Sequence, residues 1–319
     1  MAGEGGPSEG SPGDRKIAEA GEVTGLSDEL VAAAGSELVH PTQSPLFHAE
    51  NSLRYDRQSI IRAYEGAFNC RLIVLYDFIL PYSMNVFEEL IFDAQIDQDL
   101  HLLLATPGGD GETAVRLVRS AQARCRELTV IIPDQAKSAG TILALGAHQI
   151  LMGPTSDLGP IDPQLQVSGS ADLVSAKDIL AALDAAEAAV QRNPETYPLH
   201  SALLSDVTAL MIQQARSALA RSEDLMHEAL KSNPDRSDED VVLMCSVLKE
   251  PLIDVPKSHG AILGEQDANE LGLPITFADP QGDQWQLIWR LWMKYWSNGH
   301  RIYEGSSVSK TIMPWSVQQ

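Results

Sequence analysis

Apolar runs of strand length alternate with helical stretches from about residue 70 to about residue 152, and this alternation constrains the fold more than any other feature. The predicted strands lie in RLIVLYDFI, DLHLLLAT, ELTVIIP and QILMGP. Each is a nearly continuous apolar run, which is typical of a strand buried on both faces of a sheet. Strands that are joined by helices pair in parallel. We therefore expect an α/β fold with a mostly parallel sheet.

After about residue 170 the pattern becomes helical. Helices are predicted over 175–191 and 199–230, and each ends at an Asn-Pro pair because proline cannot continue a helix. A further helix follows, with Ser237 as its N-cap and Asp240 at N3. Near the C-terminus, a 4-3-4 spacing predicts a helix with an aromatic stripe formed by Trp285, Trp289, Trp292 and Trp296. We expect this stripe to pack on the domain or on a neighbouring subunit.

These patterns divide the chain into three segments. Residues 1–55 are rich in Gly, Ser, Pro and carboxylates, so we expect a disordered or weakly ordered acidic tail. Residues 56–280 hold the α/β domain, with a helical insertion at about 175–250. Residues 281–319 hold the tryptophan-rich helix and a second tail.

The composition limits the partners that we expect. The net charge is −21, from 23 basic and 44 acidic residues, which argues against nucleic acid and anionic membrane surfaces. Cys70, Cys125 and Cys245 lack the spacing of a metal site, so we expect reduced thiols. No nucleotide-binding glycine motif or metal-ligand cluster is visible, so we expect no cofactor. With no signal-peptide pattern and no run of the ~18 apolar residues that span a membrane, we expect a cytoplasmic protein.

Two motifs carry the candidate chemistry. Gly108 and Gly109 follow the second predicted strand, and Ser138 follows the third. Glycines at such a position let backbone N–H groups face an anion, although an ordinary tight turn also explains them. Ser138 can cap the next helix, can be a nucleophile, or can do both. Because parallel strand order brings both motifs to one edge of the sheet, the serine is expected beside donors that would stabilise an oxyanion.

Two neighbours of Ser138 in the sequence are weaker candidates. Lys137 adjoins the serine, but side chains of adjacent residues diverge at such a turn, so we expect Lys137 to face solvent or a carboxylate. His148 lies farther along the predicted helix, and we expect it to point away in a structural or surface role.

The motifs TPGG and KSAGTILALGAHQILMGPTSDLGPIDPQ resemble those of the ClpP/crotonase superfamily. Within it the chain is similar to the signal-peptide-peptidase-like serine proteases, and most similar to the serine dehydrogenase proteinase family. The resemblance covers about residues 70–185, and SHGAILGEQDANELGLP matches a later family segment weakly. It implies a ClpP/crotonase-like spiral fold and a serine endopeptidase that forms a homo-oligomer. Peptides or unfolded proteins would be its substrates, with a membrane protein as a further candidate substrate or partner.

The resemblance also implies roles for single residues. Ser138 would be the nucleophile, the N–H groups of Gly109 and Ala139 would form the oxyanion hole, and Gly108 would shape the turn. In signal-peptide-type peptidases a lysine replaces the histidine as general base. Lys177, 39 residues after Ser138, has the matching position, which implies a Ser-Lys dyad. A lysine can act as a base only where burial lowers its pKa, and a solvated lysine at a helix start is the alternative.

ClpP-type peptidases instead place a histidine a short distance after the serine. Here that region reads DLGPIDPQLQ, which contains Asp162 but no histidine. Asp162 and His259 remain candidates for supporting roles. Two other functions stay open: a crotonase-like enzyme that acts on acyl-CoA, and a non-catalytic scaffold that has kept the fold.

Overall fold

The computed structural model of this chain describes residues 44–166, 173–256, 258–299 and 301–312. Most of the acidic tail predicted for residues 1–55 lies outside these ranges. Its described part is not a tail, because a helix, α1 (Pro45–Phe68), begins there. Ser44 caps this helix by accepting a hydrogen bond from the Phe47 N–H, at 3.2 Å.

A seven-stranded sheet forms the centre of the described fold. In chain order its strands are β1 (Cys70–Tyr76), β2 (Asp99–Ala105), β3 (Leu128–Ile132), β5 (Gln149–Met152), β9 (Ile275–Phe277), β10 (Arg301–Glu304) and β11 (Ser309–Ile312). They lie side by side in the order β11-β10-β1-β2-β3-β5-β9. The five strands from β1 to β9 are parallel, and β10 and β11 are antiparallel additions at one edge. The expectation of a mostly parallel sheet is confirmed.

Two small sheets lie beside the large one. One pairs β4 (Gln135–Ala136) with β6 (Asp157–Leu158) in parallel. The other pairs β7 (Gln164–Gln166) with β8 (Leu173–Ser175) as antiparallel strands. The sequence did not predict them, because strands of two or three residues carry no hydrophobic period.

Nine further α-helices are present among the described residues, together with a short 3-10 helix (Pro194–Thr196) and a π-helix (Glu250–Asp254). These α-helices are α2 (Ser83–Leu90), α3 (Gly111–Gln122), α4 (Ala139–Leu145), α5 (Ala176–Arg192), α6 (Tyr197–Leu203), α7 (Ala209–Lys231), α8 (Asp238–Lys249), α9 (Glu265–Glu270) and α10 (Asp283–Asn298). The single helix predicted over 199–230 is wrong, because the chain breaks between α6 and α7. Thr208 caps the second of these helices. The predicted cap of α8 is confirmed as a capping box of Ser237 and Asp240.

The large sheet has a buried core on each face. Alternate residues of β1 show this division: Ile73 and Leu75 belong to one core, and Leu72 and Val74 to the other. The first core contains α2, α3, α4 and part of α7, and the second contains α1 and α10. Both faces of the strands are thus covered, which explains their continuous apolar sequence.

The tryptophan-rich helix packs on its own domain. Trp285 and Trp292 of α10 are buried in the second core, whereas 61% of the Trp296 side chain remains exposed. At the same face, Arg57 of α1 donates to Glu304 of β10 over 2.6 Å. None of the described helices has the length and apolar character that crossing a membrane requires.

Hydrogen bonds join the carboxyl ends of the neighbouring strands. The N–H of Ile79, just after β1, donates to the Gly108 carbonyl after β2, at 2.9 Å. The N–H of Lys137, just after β4, donates to the Thr106 carbonyl, at 3.1 Å. These bonds bring the turns that contain the two sequence motifs into contact at one edge of the sheet.

Candidate active site

The turn after β2 places two glycines against β1 and against Ser138. Gly108 and Gly109 have φ values of 114° and 141°, which residues with a side chain rarely adopt. A Cβ on Gly108 would lie 2.9 Å from the Ser138 Cβ, and one on Gly109 would lie 2.1 Å from the Ile79 carbonyl oxygen. Neither position has room for a larger residue. The turn is therefore more constrained than an ordinary tight turn.

Ser138 lies in the turn from β4 to α4, with φ of 49° and ψ of −112°. This conformation is unusual for a residue with a side chain, and such strain is found most often at functional sites. Ser138 occupies the N-cap position of α4, but its hydroxyl makes no capping hydrogen bond, so of the alternatives left open the one with a side-chain cap does not hold. The hydroxyl is therefore available for chemistry.

Two backbone N–H groups near Ser138 find no acceptor among the described residues. One belongs to Gly109, which is exposed, and the other to Ala139, the first residue of α4. N–H groups in the first turn of a helix have no carbonyl partner within the helix and favour nearby negative charge. Gly109 and Ala139 remain the predicted donors of an oxyanion hole.

Ser138 opens into a cavity of about 490 Å³. Gly109 and Ile142 line the cavity on the side of the sheet edge and of α4. Asp162 and His259 line it as well. A serine, a histidine and an aspartate from three separate parts of the sequence thus line the same cavity.

His259 and Asp162 form a hydrogen-bonded pair. The Nδ1 atom of His259 lies 2.9 Å from Oδ1 of Asp162, and the aspartate is buried. The other carboxylate oxygen, Oδ2, accepts hydrogen bonds from the Ser175 hydroxyl at 2.6 Å and from the Gln164 side-chain amide at 3.1 Å. Asp162 is therefore held in place from several sides, and it in turn orients the His259 imidazole.

The surroundings of Asp162 keep its carboxylate charged. Burial alone would raise its pKa, but the hydrogen bonds from His259 and Ser175 and the positive charge of Lys177 hold it below its ordinary value. An ionised Asp162 favours the imidazole tautomer in which Nδ1 carries the proton and donates it to the carboxylate. The Nε2 atom of His259 is then an acceptor.

Lys177 is paired with Asp162. Its Nζ atom is 3.5 Å from Oδ2 of Asp162 and donates to the Ile253 carbonyl at 3.3 Å. Among the described residues, Lys177 is not part of the cavity lining, and the hydrogen bond and ion pair of its amine go to Ile253 and Asp162 rather than to Ser138. The Ser-Lys dyad therefore stays a prediction, without a contact in the structure that supports it.

The Lys137 side chain turns away from Ser138 and is buried. Its amine donates to the carbonyls of Leu158 at 3.1 Å and Ala261 at 3.0 Å. It also forms an ion pair with Asp157. Of the two alternatives expected for Lys137, solvent or a carboxylate, the structure shows the carboxylate, which belongs to Asp157. The lysine is buried rather than exposed.

His148 has a structural role. Its Nδ1 atom accepts the Leu128 N–H at 2.9 Å, which joins the start of β5 to β3. Burial lowers the pKa of His148, so its ring is neutral near pH 7 and can accept this hydrogen bond. No group of three or more His, Cys, Asp or Glu side chains suited to a metal ion occurs in the described ranges.

His259 is the residue whose importance the sequence understated. It stands in the segment SHGAILGEQDANELGLP, whose resemblance to a later family segment was the available signal. Its distance of 97 residues from Asp162 hid their pairing, because the helical insertion separates them.

Comparison with known proteins gives one family match. The family model described as ClpP-like SDH-type serine proteinase matches residues 69–282, which is more than half of the chain. Two uncharacterized proteins of Methanocaldococcus jannaschii are similar. One is 27% identical over 209 residues, which cover 66% of this chain and 64% of that protein. The other is 26% identical over 159 residues, with coverages of 50% and 48%. The chain therefore spans between about half and two thirds of these relatives.

Two further similar proteins are proteases. A membrane-bound protease of Pyrococcus horikoshii is 31% identical over 103 residues, which cover 31% of this chain and 23% of that protein. Among solved structures, a variant of a membrane-bound stomatin-specific protease aligns with a TM-score of 0.28 and 21% identity. The alignment covers 38% of this chain and 61% of that one.

Proposed function

The chain belongs to the family of ClpP-like SDH-type serine proteinases, and from this premise we propose that it hydrolyses peptide bonds with Ser138 as the nucleophile. The observation that carries the proposal is the cavity that Ser138 shares with Gly109, Asp162 and His259. The strained backbone of Ser138 and its uncapped hydroxyl also support it.

In the proposed reaction, His259 is the general base. Its Nε2 atom takes the proton from Ser138 as the serine oxygen attacks the scissile carbonyl carbon. Asp162 stabilises the resulting imidazolium through its contact with Nδ1. The imidazolium then gives its proton to the leaving amine, and an acyl-enzyme forms. A water molecule, activated by the same histidine, hydrolyses the ester and restores Ser138.

The negative charge that develops on the carbonyl oxygen requires donors. The N–H groups of Gly109 and Ala139 are the proposed ones, because both lie next to Ser138 and have no described acceptor. Removing one such donor typically slows the chemical step by about 10²–10³-fold. Gly108 contributes through the turn, because a larger residue would displace Ser138.

Lys177 has a supporting role in this proposal and does not act as the base. Its amine is engaged by the Asp162 carboxylate and by the Ile253 carbonyl. Its positive charge instead adds to the hydrogen bonds from His259 and Ser175, which together hold the pKa of the Asp162 carboxyl below its ordinary value against the effect of burial. The Ser-Lys dyad is the alternative, and it requires Lys177 to leave Asp162.

Labelling with a fluorophosphonate, followed by assays of peptide hydrolysis, tests the proposal. Wild type should be labelled at Ser138, and Ser138→Ala should lose both labelling and activity. His259→Gln should lower kcat by roughly 10³-fold or more, because general base and serine act as a unit. Equal labelling of Ser138→Ala would overturn the nucleophile assignment. Full activity of His259→Gln would leave Lys177 as the base.

The proposal also includes a class of substrate and a state of assembly. We expect peptides or unfolded chains as substrates, with membrane proteins as a second class because the Pyrococcus relative is named a membrane-bound protease.

Exposed apolar side chains on α6 and α7 support a homo-oligomer, among them Leu199, Leu203 and Leu210. Light scattering on the purified chain would measure its mass. A monomer at assay concentration would overturn the oligomer proposal.

A further inference from the structure

The helical insertion forms part of the wall of the cavity that contains Ser138. Ser222 and Leu225 of α7 line it next to Ile142 of α4. At Gly111, the first residue of α3, a Cβ would lie 2.9 Å from Leu225 Cδ1 and 3.2 Å from Ile142 Cδ1. Glycine at this position lets the Leu225 and Ile142 side chains pack closely against α3, and we call the part of the cavity wall formed by Gly111, Ile142, Ser222 and Leu225 the recess. Leu225 and Ile142 make the recess largely apolar.

Ser222 is the polar exception in this recess. Only 5% of the residue is exposed, and its hydroxyl makes no hydrogen bond with any described residue. A serine inside a helix commonly donates to the carbonyl one turn earlier, and Ser222 does not. Because Ser222 lines the cavity, its hydroxyl is open to a hydrogen-bond partner that enters the cavity.

The recess lies close to the nucleophile. Ile142 is one helical turn after Ser138, and its N–H donates to the Ser138 carbonyl at 3.0 Å. One turn of helix advances about 5.4 Å, which is within the reach of a side chain on the residue whose carbonyl Ser138 attacks. The recess is therefore placed to receive the P1 side chain, the one that precedes the scissile bond.

From this arrangement we propose that Ser222 is a specificity residue, which selects an uncharged P1 side chain that carries a hydrogen-bonding group. The proposal rests on the peptidase function given above. Leu225 and Ile142 contact the apolar part of the side chain, and the Ser222 hydroxyl pairs with its polar atom. A charged tip is disfavoured, because none of the described residues that form the recess carries a charge to offset the loss of water.

Matched peptide substrates test this proposal. Three P1 pairs differ mainly in hydrogen bonding: Tyr and Phe, Thr and Val, and Gln and Met. The full-length protein is assayed as wild type, as Ser222→Ala and as Ser217→Ala. Ser217 is an exposed serine of the same helix, so its variant controls for the loss of a serine from α7. Alanine is the best helix former, so both variants should fold.

For wild type and Ser217→Ala we expect kcat/KM to favour the polar member of at least one pair by about three- to tenfold, the effect of one neutral hydrogen bond. Ser222→Ala should lose this preference and should cleave the apolar member at least as well as wild type does. Unchanged ratios in Ser222→Ala, or an apolar preference of wild type in all three pairs, would overturn the role of Ser222 alone. A wild-type protein that cleaves none of the six peptides would overturn the peptidase proposal as well.

Discussion

The Nδ1 atom of His259 lies 2.9 Å from the Oδ1 atom of Asp162, although 97 residues separate the two in the sequence. Lys177 contacts the same carboxylate through its other oxygen. The aspartate thus lies between the two residues that compete for the role of general base, which makes their contributions separable by experiment.

Replacing Lys177 by Met should shift the pH-rate profile rather than abolish activity. Loss of this positive charge removes one of the groups that hold the pKa of Asp162 below its ordinary value, so the acid limb of kcat should move to higher pH. We expect kcat at its optimum to fall only about tenfold. Lys177→Arg keeps the charge and should keep the profile. A loss of 10³-fold or more in both variants at every pH would instead identify Lys177 as the base.

Gly109→Ala should reduce both activity and stability. The added Cβ would lie 2.1 Å from the Ile79 carbonyl oxygen, and φ at this position is 141°. The turn must then move, which displaces the proposed oxyanion donor and should lower kcat by about 10²-fold or more. Gly66→Ala is the matched control, because nothing lies within 4 Å of its Cβ position in α1. This control should raise the free energy of unfolding by about 0.5–1 kcal/mol and leave kcat unchanged. Wild-type kcat in Gly109→Ala would exclude the proposed donor.

Glu304→Ala should destabilise the fold strongly. Arg57 and Glu304 are both buried, and their 2.6 Å contact joins α1 to the antiparallel edge of the sheet. Removing the carboxylate leaves a buried guanidinium without its charge partner, which typically costs about 3–5 kcal/mol.

The pair of Arg126 and Asp99, in which the arginine is exposed and the aspartate partly exposed, provides the control for Glu304→Ala. Asp99→Asn should change the free energy of unfolding by less than about 1 kcal/mol, because water screens this pair. Urea denaturation measures both variants. Equal losses in the two would contradict the distinction between buried and exposed pairs.

The unfolding free energy should fall as the pH drops from about 6.5 to about 4, with His101 as one cause. Burial lowers the pKa of His101 to about 4, and its Nδ1 atom lies 2.8 Å from the Tyr64 hydroxyl. In this pH range the unfolded chain binds a proton at His101 that the folded chain does not, so stability is complete above the unfolded pKa and declines below it. The total loss should be up to about 3 kcal/mol.

His101→Gln isolates this contribution. Between pH 4 and 6.5, the unfolding free energy of this variant should depend less on pH than that of wild type. The difference between the two slopes should correspond to at most one proton bound on unfolding. Urea titrations at several pH values measure the difference. Parallel curves for the two proteins would show that His101 is protonated equally in the folded and unfolded states.

Sequence reasoning succeeded where the structure is set locally. The strands β1, β2, β3 and β5 are continuous apolar runs, so their burial on both faces can be read directly. Gly108 and Gly109 also predict the turn that contains them, because few other residues adopt its backbone angles. The break before α7 was missed because the helical pattern continues across it and only Thr208 marks the new start.

The pairing across the site could not be read in the same way. Lys177 was favoured for its distance from Ser138 along the chain, whereas its neighbour in space is Asp162. Spacing in sequence does not determine which of several side chains reaches a given atom once a helical insertion intervenes. Ser222 was missed for a similar reason, since a serine inside a long helix carries no functional signal until the cavity beside it is seen.

The buried amine of Lys137 has a consequence for how this site can evolve. This amine donates hydrogen bonds to the carbonyls of Leu158, four residues before Asp162, and of Ala261, two residues after His259. Lys137 itself directly precedes Ser138 in the sequence. Leu158 and Leu263 also exchange two backbone hydrogen bonds of 3.0 Å. The three segments of the site therefore share one internal anchor. An insertion or deletion in any one segment would therefore move the other two. We expect the lengths of the three segments to change together among homologous proteins.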